Sequence, residues 1–155
     1  MMRTQLYNYR SGQQIIPEDI RNSVLCSIEG ISYTIGKNEV RDFNKDLLDK
    51  LHEQGWSDSI PLSVYSKISI TSERDRIGLC VQTGNVARIY ANLLKLQTMF
   101  TDEKIHAGIL ALPIKECADA FGKNIANYER FLRELTLVFS KVITIPLLIV
   151  GFSSD

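Results

Sequence analysis

A mixed α/β domain, with helices flanking a mixed sheet, is the fold this sequence predicts, and three observations predict it. On either side of Ser72-Glu73-Arg74-Asp75, apolar and polar residues alternate with period two, as they do in strands. Apolar stripes at helical spacing flank that stretch, Val40, Phe43, Leu47, Leu48 and Leu51 before it and Val86, Ile89, Tyr90, Leu93, Leu96 and Phe100 after it. Two short apolar runs, residues 105–112 and 143–150, have the length and content of buried strands.

In chain order, Leu6-Tyr7-Asn8-Tyr9-Arg10 reads as a short strand or extended arm ending at Ser11-Gly12. Pro17-Glu18-Asp19 is a helix start, with proline and acids in the first turn, and Gly30 is its stop. Asn38 reads as the N-cap of the next helix, which ends at Gly55, with Trp56 packing beneath the sheet. A first sheet strand lies near residues 59–64, followed by the hairpin. The helix after Asn85 is apolar around much of its circumference, which points to burial on two sides, by its own sheet and by a partner subunit. Pro113 begins a helical region that breaks near Gly122 and continues through Phe131 and Leu135. Pro146 suits the start of the last strand. The order gives a meander extended by crossover strands.

At 155 residues the chain is one domain of ordinary size, residues 1–155, able to bury a core without staples. Its formal net charge is zero, so contact with nucleic acid requires a local basic patch, not global attraction. Cys26, Cys80 and Cys117 show no CxxC pairing, which argues against a disulfide framework or zinc site and for a reducing compartment. No apolar run approaches membrane-spanning length, and the first residues lack an apolar signal core. The expectation is a soluble, cytoplasmic protein.

The hairpin carries the chemistry. Ile68 and Ile70 alternate with Lys67, Ser69 and Thr71, while Ile77, Leu79 and Val81 alternate with Gly78, Cys80 and Gln82. A turn at Arg74-Asp75-Arg76 brings Thr71 and Cys80 together, with Gln82 one pleat further, and all three are expected on a non-core face. His52 and His106 are not placed beside Cys80 by sequence, so Cys80 reads as a buried, inert thiol.

The stretch from Gly55-Trp56 through Val81-Gln82-Thr83-Gly84-Asn85-Val86-Ala87-Arg88 to Leu94-Lys95-Leu96-Gln97 resembles the BglII/BamHI branch of type II restriction endonucleases. Asn124-Ile125-Ala126-Asn127-Tyr128-Glu129-Arg130 and Pro146-Leu147-Leu148-Ile149-Val150-Gly151-Phe152 are similar to further segments of that group. The resemblance implies a PD-(D/E)XK nuclease core, Mg²⁺-dependent cleavage of duplex DNA, and a homodimer. It also implies an aspartate nine positions before the glutamate of a Glu-X-Gln or Glu-X-Lys. Aligned on Gln82, those acid positions fall on Thr71 and Cys80. A hydroxyl and a soft thiol are poor ligands for a hard ion that takes oxygen donors, so a degenerate catalytic centre is expected. Mg²⁺ is then a cofactor only if Glu73, Asp75 or Glu39 has taken over as a relocated acid. The same three residues more simply suit a solvated turn and helix face. Lys67, Arg74, Arg76, Arg88 and Lys95 are the candidate DNA-binding cations, and also suit solvated faces. A module that keeps the fold for dimerisation alone is the third reading.

Overall fold

The computed structural model describes residues 2–154. Met1 and Asp155, the ends of the expected domain, lie outside the described residues. The chain runs β1 (Arg3–Tyr9), α1 (Gly12–Ile15), α2 (Glu18–Glu29), α3 (Val40–Glu53), β2 (Ile60–Pro61), β3 (Ser69–Ile70), β4 (Ser72–Arg74) and β5 (Ile77–Val81). It continues through α4 (Ala87–Thr101), β6 (Ala107–Pro113), α5 (Lys115–Phe121), α6 (Tyr128–Leu137), a short 3₁₀ turn at Phe139–Lys141 and β7 (Leu147–Ser153).

The main sheet has the order β1-β7-β6-β5-β4, parallel from β5 through β7 and antiparallel at both edges. Strands β6, AGILALP, and β7, LLIVGFS, are apolar almost throughout because both their faces are covered. On one face Ile77, Leu79, Ile109, Leu148 and Val150 pack with α2, α3 and α5 through Ile20, Val24, Phe43, Leu47 and Phe121. On the other, Cys80, Leu110, Leu112 and Ile149 pack with α4 and α6 through Ile89, Leu93, Leu96 and Phe131. Each fully buried large side chain contributes about 1.5–3 kcal/mol, so this two-sided burial is what the sheet rests on.

Several elements differ from expectation. The strand near residues 59–64 is only Ile60–Pro61, and it pairs with β3 in a separate two-stranded ribbon. Pro113 does not open a helix; it ends β6, opposite Phe152, where its missing N–H costs no ladder bond further along. The last strand runs on to Ser153, because Gly151 and Phe152 continue the pairing with both β1 and β6. Asn38 is not the cap of α3: Glu39 occupies that position, its carboxylate accepting the Gly36 N–H at 3.0 Å. Gly12 starts a short helix missed by period analysis. A Cβ there would lie 2.3 Å from the Leu147 carbonyl, so only glycine allows α1 to cross β7 so closely.

The hairpin turns where expected, at Asp75-Arg76, but its first strand is only Ser72–Arg74, because Ser69 and Ile70 pair with β2 instead. Ser72 pairs with Leu79 and Arg74 with Ile77, leaving Asp75 and Arg76 as a two-residue turn with φ of 49° and 64°. Two left-handed residues match the twist of the strands they join. Trp56 does pack beneath the sheet, and its indole N–H donates to Ser23 Oγ at 2.8 Å. Ser57 closes the outer edge, accepting the Glu73 N–H at 2.9 Å and, through its carbonyl, the Ser72 hydroxyl at 2.5 Å.

Candidate functional site

The expected non-core face of the hairpin does not exist. β5 is an inner strand, and the crossover helix α4 that leads to β6 lies across the face carrying Cys80. Cys80 is therefore 1% exposed, buried with Ile70, Ile89, Leu93 and Leu96. Burial pushes its thiol up to about 12, offset in part by a hydrogen bond with the Thr71 backbone and by the Lys95 charge. The expected burial of Cys80 is found, and the thiol does not line the cleft that Thr71 and Gln82 border.

Thr71 sits at a bend between β3 and β4 instead of within a continuous strand. The bend turns its hydroxyl toward the end of β5, where Thr71 Oγ1 accepts the Val81 N–H at 3.1 Å. Gln82 follows at the end of β5. Its N–H donates to the Ala111 carbonyl, while its side chain, 6% exposed, is gripped on both sides. Gln82 Nε2 donates to the Asn85 carbonyl at 3.2 Å, and Oε1 accepts from Asn92 Nδ2 at 3.1 Å. Lys95 Nζ lies 3.5 Å from Asn92 Oδ1. A polar relay thus ties β5 to α4.

Thr71, Gln82, Thr83, Gly84 and Arg88 line an open cleft of about 470 Å³, closed on the far side by Val40, Asn44 and Leu48 of α3. Asn44 and Thr83 hydrogen-bond across it at 3.0 Å. The floor is held by Asn85, whose side chain accepts the Ala87 N–H at 2.9 Å to start α4. Val86 N–H to Asn124 and Ala126 N–H to Gly84 pin the same segment to the loop before α6.

The remaining candidates are dispersed. Glu73 pairs with Gly78, one pleat nearer the turn than Thr71, roughly 7 Å along the strand. Asp75 is in the exposed turn, and Glu39 is committed to Gly36; none of the three lines the cleft. Among the cations, Arg88 is at the cleft and Lys95 is two turns further along α4. Lys67 is exposed beside the β2–β3 ribbon. Arg74 and Arg76 are at the opposite end of β5, Arg74 reaching Asp19 at 3.6 Å and Arg76 donating to the Glu103 carbonyl. They do not form one continuous edge.

Two residues escaped sequence reasoning. Asn44 and Asn92 each carry an amide at an apolar-stripe spacing, Asn44 four residues after Val40 and Asn92 three after Ile89. A polar side chain inside a core-facing stripe was the available signal.

For the Mg²⁺ that the resemblance implies, this donor set is a poor fit. It offers a hydroxyl already accepting a backbone N–H, an enclosed neutral thiol and an amide oxygen taken by Asn92. Among the described residues no group of three or more His, Cys, Asp or Glu side chains could hold a metal ion. No helix among them is long and apolar enough to cross a membrane.

A mixed sheet covered on both faces, with a hairpin feeding a helix beside a polar cleft, defines a restriction-endonuclease-like domain. The chain belongs to the restriction endonuclease BglII/BglIII family, whose model matches residues 4–152. It is 25% identical over 128 residues to the type II restriction enzyme BamHI of Bacillus amyloliquefaciens, a match covering 83% of this chain. The chain spans 58% of the length of that curated relative. In fold it is similar to the crystal structure of BglII complexed with a DNA 16-mer, with a TM-score of 0.84 and 14% identity over 99% of this chain and 77% of that one. Free BglII gives a TM-score of 0.75 at 12% identity, over 99% and 80% of the two chains.

Proposed function

We propose that this protein binds duplex DNA as a restriction-endonuclease-family member whose hydrolytic centre is degenerate. Membership of a DNA-cleaving family and the fold shared with DNA-bound BglII support the DNA reading. The observation that carries the degeneracy is the pair Thr71 and Cys80, standing where the family resemblance calls for two carboxylates, with Cys80 enclosed and its thiol held neutral. A metal held by such groups would neither generate hydroxide nor offset the charge that develops on a transferring phosphoryl group. Lys67, Arg88 and Lys95 supply phosphate contacts, and Arg74 and Arg76 lie too far along β5 to join them at one groove.

The protein works as a homodimer. Leu94 on α4, 58% exposed, Leu137 at the end of α6, and Val138 and Val142 just after it, each more than half exposed, support an interface at these segments. The working-enzyme alternative requires Glu39, Glu73 or Asp75 to reach the cleft, and the Glu39 carboxylate is already engaged by Gly36.

The test is duplex DNA offered with Mg²⁺ and with Mn²⁺, reading binding and cleavage from the same samples. Binding without cleavage is expected. Cleavage abolished by Glu39→Ala, Glu73→Ala or Asp75→Ala would show that the acids have moved and not been lost.

A further inference from the structure

The cleft beside Thr71 differs in charge from a metal site. Its described lining carries no carboxylate and one cation, Arg88. No hydrogen bond or ion pair among the described residues uses the Arg88 guanidinium. Its direction is shown at Gly84: a Cβ built there would have Gln82 Nε2 at 3.5 Å and Arg88 Nη1 at 3.9 Å. Two nitrogen donors therefore converge on a space that the glycine leaves open. Gln82 Nε2 uses one proton on the Asn85 carbonyl and keeps the other. Thr71 Oγ1 accepts from Val81, and no acceptor among the described residues takes its hydroxyl proton. Asn44 Nδ2 has a second proton beyond the one given to Thr83.

We infer that this cleft is a metal-independent oxyanion site, in which Arg88 and Gln82 hold a phosphate oxygen over Gly84, with Thr71 and Asn44 as further donors. A cation would meet a guanidinium and amide N–H groups there; a phosphodiester or phosphate meets donors and opposite charge. The ligand chemistry is a phosphate oxyanion, from the backbone of duplex DNA or from free phosphate. The DNA source rests on the function proposed above, whereas the anion site itself does not.

The experiment uses the full chain in EDTA. Inorganic phosphate is titrated while the Arg88 Nε–H and the Gln82 and Asn44 side-chain amide signals are followed by NMR. Duplex DNA affinity is measured by anisotropy across a salt series for the wild type, Arg88→Ala, Gly84→Ala and Thr71→Asp. All three variants suit the fold: Arg88 is exposed, a Gly84 Cβ meets only ordinary contact distances, and aspartate can still accept the Val81 N–H.

Phosphate should shift the three sets of signals. Arg88→Ala should make the log–log salt slope shallower by about 0.9, one phosphate's worth. Gly84→Ala should weaken binding with the slope unchanged, because it fills space and removes no charge. Thr71→Asp should weaken binding in EDTA by about tenfold or more, since it sets a like charge against the phosphate. DNA binding that persists in EDTA, indifferent to all three changes and with no phosphate response, overturns the oxyanion site and leaves the DNA reading standing. A phosphate response without DNA binding does the reverse. Loss of wild-type DNA binding in EDTA, with recovery on adding Mg²⁺, overturns the metal-independent site.

Discussion

Cys80 shows how one residue's surroundings decide its chemistry. Its thiol, ordinarily near 9.0, is pushed up to about 12 by burial. The folded value lies above the unfolded one, so the neutral thiol's contribution to stability is fully present below about pH 9. That contribution is lost as pH rises through the folded value, with a slope of one proton. Denaturation midpoints should therefore fall across this window, and Cys80→Ala should fall less steeply. Thiol labelling gives an independent check: exposed Cys26 should react in the native protein and Cys80 only on unfolding. The same enclosure bears on restoring a metal site. Cys80→Glu should destabilise by about 3 kcal/mol or more in chemical denaturation, because an unpaired carboxylate enters apolar surroundings. Combined with Thr71→Asp, that loss should be partly recovered on adding Mg²⁺, seen as a metal-dependent rise in Tm.

At the scale of elements, β5 and α4 act as one unit through Gln82 and Asn92. Removing the amide with Asn92→Ala leaves Gln82 Oε1 buried without its donor, which should cost about 1–3 kcal/mol of stability by urea titration. The outer side of α4 is expected to behave differently. Leu94 is 58% exposed, so Leu94→Glu should leave that stability nearly unchanged while shifting the sedimenting species from dimer to monomer. A wild-type protein sedimenting as a monomer at tens of micromolar would remove the dimer proposal. Helix α4's inner stripe, Ile89, Leu93 and Leu96, was legible from period alone, because a core-facing stripe repeats within one element. Which of its apolar residues stay exposed, Leu94 among them, was not, because exposure depends on what else packs nearby.

For the whole molecule, net charge zero means that any DNA affinity comes from a few local cations. With three proposed phosphate-contacting cations per protomer, Lys67, Arg88 and Lys95, affinity should fall steeply with salt, by a log–log slope of about −0.9 for each phosphate neutralised. Arg76→Ala should leave that slope unchanged, since Arg76 is at the far end of β5 and engaged with Glu103. A slope that changes as much for Arg76→Ala as for Arg88→Ala would move the DNA to the turn end of the sheet.

Local pattern by itself determined the hairpin and its turn, α2, α3 and α4, and the two buried strands of the sheet's centre. Strand alternation, helical stripes and a proline-and-acid helix start act over a few residues, and a distant contact overrode them only at residues 69–70, which pair with β2. The family resemblance likewise came from contiguous segments around residues 77–97. What only tertiary structure decided was whether either face of the hairpin stayed open. Alternation distinguishes two faces but cannot say that both will be covered, and here α3 took one and α4 the other. The cleft followed from that choice. Thr71 reaches it through a bend, Asn44 from a helix that precedes the hairpin, and Arg88 from the helix that follows. Their meeting depends on contacts far apart in sequence, where spacing along the chain carries no information about distance in space.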